Sequence, residues 1–355
     1  MDKKRILATV VVFCILVILI YLQYRHWRTF DWSTFWSQTH RITKWRIALA
    51  IALTYFAYVM RALRWKIFLN PVKPKTRTGE LVSPTLVGFT GIALLGRAGE
   101  FIRPYLIARR LELPFSSQLA AWTVERAFDI GSVAVMMVVA VFGEGGMLSI
   151  PEPKWYRTGY IAVAVLSALT VGIVLAALLI SSRGESIAQW VEKEFRHSRS
   201  HLGNSVALRI REFKAGLNTI QGVASFVALA LVSVGMWCVI AFAYIQITRS
   251  YNDDSLLISP VQVLILMGAS MAGSMLQLPA VGGGSQMATI ATLSGLFGVP
   301  AEMAASCGIL LWLVTFFSVV PSGLLLAHHE RLSLRKLSVE SHHAEESQNA
   351  PAPTP

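Results

Sequence analysis

The sequence predicts an all-α fold: a polytopic integral membrane bundle of about eight transmembrane helices, with two broken, re-entrant helical hairpins related as inverted repeats. Three observations carry that expectation. Of 355 residues, 54% are hydrophobic and only 15% charged, where soluble domains carry about 25% charge. Mean hydropathy is +0.54. Long apolar runs recur along the chain, and two of them are interrupted by polar, glycine-rich breaks. Such a charge deficit excludes a disordered chain, a coiled coil and an ordinary cytosolic enzyme.

A helix crosses a bilayer with about 20 mostly apolar residues. Residues 6–22, 160–180, 223–247, 258–278 and 303–327 meet or approach that length. Residues 47–60 are shorter, and extend through Phe68 if Arg61 and Arg64 snorkel to the headgroups. Residues 81–95 are also short, and 117–142 are apolar apart from Glu125, Arg126 and Asp129. Residues 96–112 and 282–299 are too polar or too rich in glycine for ordinary spans. The basic start and apolar run of 1–22 resemble a signal peptide, but bulky residues 21–27 stand where a small-residue cleavage site would follow. An uncleaved first helix is the expectation. Cys14, Cys238 and Cys307 all lie in apolar runs without ligand spacing, as small buried hydrophobes do.

Orientation follows from lysine and arginine. The segments before residue 6, over 61–80, over 181–220 and after 327 hold nineteen basic residues, against eight in 23–46, 143–159 and 249–257. Both termini are therefore expected in the cytosol, in a cell (inner) membrane. The 23–46 loop dissents with five basic residues, and its Trp27, Trp32, Trp36 and Trp45 suggest an interfacial belt. Net charge of +12 suits anionic lipid headgroups at the cytosolic face. Nucleic acid is not an expected partner, because the basic residues are dispersed over loops with no motif among them. One membrane domain is expected over 1–337, with a cytosolic segment at 182–220. There Val206, Ile210, Phe213 and Leu217 recur at helical spacing, as in a surface amphipathic helix or an interhelical connector. Residues 338–355 are expected to form a disordered tail.

The densest chemistry lies between Arg97 and Asp129: five arginines and four carboxylates flanked by apolar runs. Charges at bilayer depth pair or face a wet cavity. Glu100 and Arg103 are i,i+3 neighbours; Glu125 and Asp129 share a face at i,i+4 and need a cation between them. Arg103 or Arg97, across a hairpin, is the expected cation. Pro104 and the glycines at 91, 96 and 99 imply a broken helix, whose free backbone groups must face protein or water. Such a network either holds helices together, lines a substrate path, or does both.

A second polar site follows Ser270, Ser274 and Gln277: Pro279, then Gly282, Gly283, Gly284, Ser285 and Gln286. Three consecutive glycines do not form a stable helix interior. Either they make a turn at the membrane edge, or they make a re-entry whose N–H groups accept an anion. Shifting the first site by 186 residues puts Gly96 on Gly282 and Pro114 on Pro300. Each unit then reads as glycine-rich break, short helix, proline turn and long helix, and the alternation of spans gives the two opposite orientation. Inverted repeats with broken helices are a transporter pattern.

With residues 96–104 (GRAGEFIRP), 125–129 (ERAFD), Pro279 with Gly282–Gly284, and 297–300 (FGVP), the sequence resembles the transmembrane, flippase-like region of lysylphosphatidylglycerol synthases, including its stand-alone members. The resemblance implies a protein that moves a lipid or lipid-linked headgroup between leaflets, without the synthase domain of the bifunctional relatives. Arg97, Arg103 and Arg126 would engage a phosphate. Glu100, Glu125 and Asp129 would orient those arginines or meet a cationic headgroup, and the hairpin at Gly282–Gln286 would complete the site. Many relatives carry an acidic residue after the glycines, where this chain has Ser285 and Gln286. Without a Walker A motif, transport would be passive or coupled through Glu125 or Asp129. No metal or cofactor is expected. Two alternatives remain: an embedded transferase, for which no HxxEH or GxSxG motif speaks, and a membrane subunit for a separate lipid-modifying enzyme.

Overall fold

The computed structural model describes residues 31–142, 222–274, 277–278 and 282–329, together with 185–191 and single positions between 164 and 211. The expected spans at 6–22 and 160–180, most of 182–220 and the tail at 338–355 lie outside the described residues. Described helices are α1 (Trp32–His40), α2 (Lys44–Leu69), α3 (Thr78–Leu95), a 3₁₀ turn (Gly96–Phe101), α4 (Ile102–Leu111), α5 (Phe115–Phe142) and α6 (Gly222–Arg249). After these come α7 (Pro260–Gly273), α8 (Gly284–Ala291), α9 (Ala301–Trp312) and α10 (Val319–His329). The protein is an α-helical integral membrane protein. Among the described residues four stretches are long and apolar enough to cross a bilayer: Lys44–Leu69, Thr78–Leu95, Ala224–Arg249 and Ala301–His328. Large apolar side chains stay exposed on their outer faces, as Phe56, Val59 and Leu63 do on α2 and Phe226, Leu231 and Phe242 on α6. In water a patch of that kind would be a liability; facing lipid it is the expected surface.

The chain direction of each helix follows from its contacts. Thr43 donates its backbone N–H to the Ser250 carbonyl (2.8 Å), Arg46 bonds Gln246 (3.1 Å) and Arg64 bonds Ser233 (3.1 Å), so α2 and α6 run antiparallel. Helix α3 returns beside α2: Leu81 packs with Phe68 and Leu69, while the Phe89 ring lies 5.0 Å from that of Tyr58. Helix α7 returns beside α6, with Tyr251, Ile258 and Val263 in one core at its start and Tyr244 bonded to Ser270 further along. Its first turn is fixed by a capping box: Ser259 accepts from the Gln262 N–H while Gln262 accepts from the Ser259 N–H, ahead of Pro260. It follows that α3 and α7 point in opposite directions, each starting at a different end of the α2–α6 pair.

Each then breaks. Gly96 (φ 67°) ends α3, and Gly283 (φ 123°) precedes α8, both in backbone regions that L-residues with side chains avoid. The chain doubles back tightly at both places. A Cβ on Gly99 would run into the Gly91 carbonyl, and one on Gly273 into the Gly284 carbonyl. The first hairpin is wholly helical. In the second, α7 stops after 14 residues, and a two-residue antiparallel ladder pairs Gln277 with Gly283 and Leu278 with Gly282. The expected span at 258–278 is therefore shorter than it reads: Gln277 and Leu278 are extended backbone paired with Gly282 and Gly283. The two tips meet: strand Gln277–Leu278 lies against the 3₁₀ turn Gly96–Phe101.

Candidate functional site

Helix α5 starts at Phe115, so Glu125 and Asp129 lie about 15 and 21 Å along a 28-residue helix at 1.5 Å per residue. Both side chains are almost fully buried. The cation between them is Arg64 of α2. Its Nη2 meets Glu125 Oε1, and its Nη1 donates to Asp129 Oδ1 (2.7 Å) and Ser233 Oγ (3.1 Å). Arg103 of α4 grips the same glutamate with both Nη atoms, Nη1 at 3.1 Å from Oε1 and Nη2 against Oε2. That is the bidentate geometry in which arginine binds carboxylate best. The Trp65 indole donates to Glu125 Oε2 (2.9 Å), and the Trp237 indole to Asp129 Oδ1 (3.2 Å).

Two expectations are corrected here. Arg61 and Arg64 do not snorkel; they sit on the inward face of α2 with Ala57, Tyr58, Trp65 and Phe68. Carboxylates at matching depth on α5 compensate their charge better than a stretch toward the headgroups, while Phe56, Val59 and Leu63 take the lipid face. Removing these two from the loop count leaves 17 (19 − 2) basic residues against eight. Arg103 pairs with Glu125, not with its i,i+3 neighbour Glu100, which stays half-buried on the 3₁₀ turn at the hairpin tip. The dry, two-oxygen partner wins. Arg97 lies on the same 3₁₀ turn.

A cavity of about 230 Å³ opens beside this cluster. Arg61, Arg126 and Asp129 form one wall, Ser270, Ser274 and Ser285 of the second hairpin another, and Trp237, Trp312 and Phe316 lie among the aromatic residues between them. Ser285 and Ser270 hydroxyls are bonded at 2.7 Å. Thr315 and Phe316 reach the cavity from a π-helical stretch, Leu313–Phe317, of the kind that often marks functional sites. The second hairpin's remaining residues play smaller parts. Gln286 accepts from the Gly283 N–H (3.1 Å), so that donor is closed off to an anion, and Gly282 and Gly283 form the ladder. Arg61, Arg64, Trp65 and Trp237 are the members that reading the sequence missed. Arg61 and Arg64 at i,i+3 in an apolar helix were the available signal, equal in kind to Glu125 and Asp129.

Two broken helical hairpins of opposite direction, with a cavity lined by ionised side chains of α2 and α5 and by the second hairpin's serines, define the class: a polytopic α-helical membrane protein. More narrowly, the chain belongs to the lysylphosphatidylglycerol synthase TM region family, whose model matches residues 5–323. Among curated proteins it is similar to Glycosyltransferase AglD of Haloferax volcanii, at 23% identity over 244 residues, which is 63% of this chain and 38% of that protein. The matched region thus spans less than two-fifths of that relative's length. No solved structure matches the chain.

Proposed function

We propose that the chain moves the headgroup of a phospholipid or lipid-linked molecule between leaflets of the cell membrane, with both termini cytosolic. The observation that carries this reading is a cavity in which ionised side chains of α2 and α5 meet serine hydroxyls of the second hairpin. A headgroup needs a polar stopping place at mid-depth, whereas acyl chains can stay in the bilayer alongside. Broken helices supply that place in transporters because their ends present polar groups where an intact helix would not. Of the expected residues, Arg103 and Glu125 act here as the frame, Arg126, Asp129 and Ser285 as the wall, and Arg97 and Glu100 as the tip through which the headgroup would pass. Gly282, Gly283, Gly284 and Gln286 hold the second hairpin's shape.

The test is leaflet sidedness of fluorescent phospholipid in proteoliposomes, with dithionite quenching of the outer leaflet. Ser285→Phe, which fills the cavity from a half-buried position, is expected to slow movement at least tenfold, as are Arg103→Ala and Glu125→Gln. Wild-type movement by a correctly folded Ser285→Phe protein would refute passage through this cavity. A second reading, a membrane subunit serving a lipid- or glycan-modifying enzyme, is favoured by one observation: the relative is named a glycosyltransferase and extends well beyond the matched region. Co-purification of a stoichiometric transferase with a chain that moves no lipid would favour it.

A further inference from the structure

The charges around the cavity do not balance. Arg61, Arg64, Arg103 and Arg126 surround two carboxylates, leaving two positive charges in excess (4 − 2). The excess is not spread evenly. Glu125 is committed to Arg64 and Arg103, and Asp129 Oδ1 to Arg64 and Trp237. Only Asp129 Oδ2 is left, shared at 3.5 Å by Arg126 and at 3.9 Å by Arg61, and these two are the arginines that line the cavity. Neither distance is a hydrogen bond made well. Buried Arg126 Nε and Asp129 Oδ2 have no hydrogen-bond partner. The Arg61 guanidinium is steadied by the rings of Phe89 (4.8 Å) and Trp237 (5.8 Å) instead. A buried Arg61 and a partly exposed Arg126 share one half-used carboxylate, and a polyvalent anion entering the cavity would complete their pairing.

Resting on the translocation reading, we propose that the headgroup taken by this cavity is a dianionic phosphate, either a phosphomonoester or a pyrophosphate joined to a lipid, gripped by Arg61 and Arg126. A phosphomonoester carries about −1.5 to −2 at pH 7, which matches the excess. A phosphodiester such as phosphatidylglycerol carries one charge and leaves a cation unmatched. An aminoacylated, net-cationic headgroup adds to the imbalance. The bonded hydroxyls of Ser270 and Ser285 on the facing wall can turn to donate to phosphate oxygens.

The experiment measures lipid binding to the full chain in detergent by native mass spectrometry and by fluorescence of Trp237 and Trp312. The probes are phosphatidate, a polyprenyl pyrophosphate, phosphatidylglycerol, aminoacylated phosphatidylglycerol and inorganic pyrophosphate. Phosphatidate or the polyprenyl pyrophosphate should bind at least tenfold tighter than phosphatidylglycerol, and the stronger of the two identifies the phosphate type. Arg61→Gln should abolish that preference by weakening the dianionic lipid at least tenfold. Arg126→Gln should do the same from a side chain 37% exposed, so its fold is safe if Arg61→Gln fails to fold. Equal binding of phosphatidylglycerol, tighter binding of the aminoacylated lipid, or binding of inorganic pyrophosphate without either dianionic lipid would each overturn the proposal. Sidedness assays separate the two readings. Wild-type movement of phosphatidylglycerol at least as fast as that of either dianionic lipid sinks the dianion and keeps translocation. Tenfold-selective binding with no lipid crossing sinks translocation and supports the anion site.

Discussion

Glu125 holds more of this protein together than any other polar side chain described. It is fully buried and takes both Arg64 and Arg103 as well as the Trp65 indole. Glu125→Gln would leave two buried guanidiniums with one weaker partner, and loss of one member of a buried pair typically costs about 3–5 kcal/mol. A fall in thermal unfolding midpoint of many degrees in detergent is expected. Arg126→Gln should shift it little, because a side chain 37% exposed pays little for losing its partner. Equal midpoints for Glu125→Gln and wild type would contradict the pairing described. At this scale the sequence was only partly legible. It exposed Arg103, Glu125, Arg126 and Asp129 as a cluster because ionisable residues in apolar runs stand out. It assigned Arg61 and Arg64 to the surface because a charge near the end of a span can always be imagined reaching water.

Between residue and whole, the hairpins depend on backbones that nearly touch. Gly99 sits against the Gly91 carbonyl and Gly273 against that of Gly284, where a methyl has no room. Gly99→Ala and Gly273→Ala should each cost about 1–3 kcal/mol, the usual range for overpacking, and should impair lipid movement more than an alanine at Gly268, beside which a Cβ meets nothing within 4 Å. Paired unfolding and sidedness measurements on the three variants would check this. The hairpins themselves could be read from the glycine and proline pattern. The ladder closing the second one could not, since two residues per strand give no periodicity to detect.

For the molecule, the arrangement turns on α3 and α7 entering from opposite ends. Val72, in the turn after α2, and Leu257, between α6 and α7, are both exposed and mark those two ends. In sealed vesicles, Val72→Cys and Leu257→Cys should react with an impermeant maleimide from opposite sides of the membrane. Labelling of both from one side would dismantle the inverted arrangement. What the amino-acid order determined by itself was a membrane bundle with two glycine-broken units, because apolar length, helix-breaking residues and stranded charges are local properties. Which charges pair, and that they line one cavity with the second hairpin's serines, was decided only by tertiary packing. Arg64 meets Asp129 across 65 positions and Trp237 meets it across 108, separations over which no local pattern carries information and only the juxtaposition of three helices makes the contact.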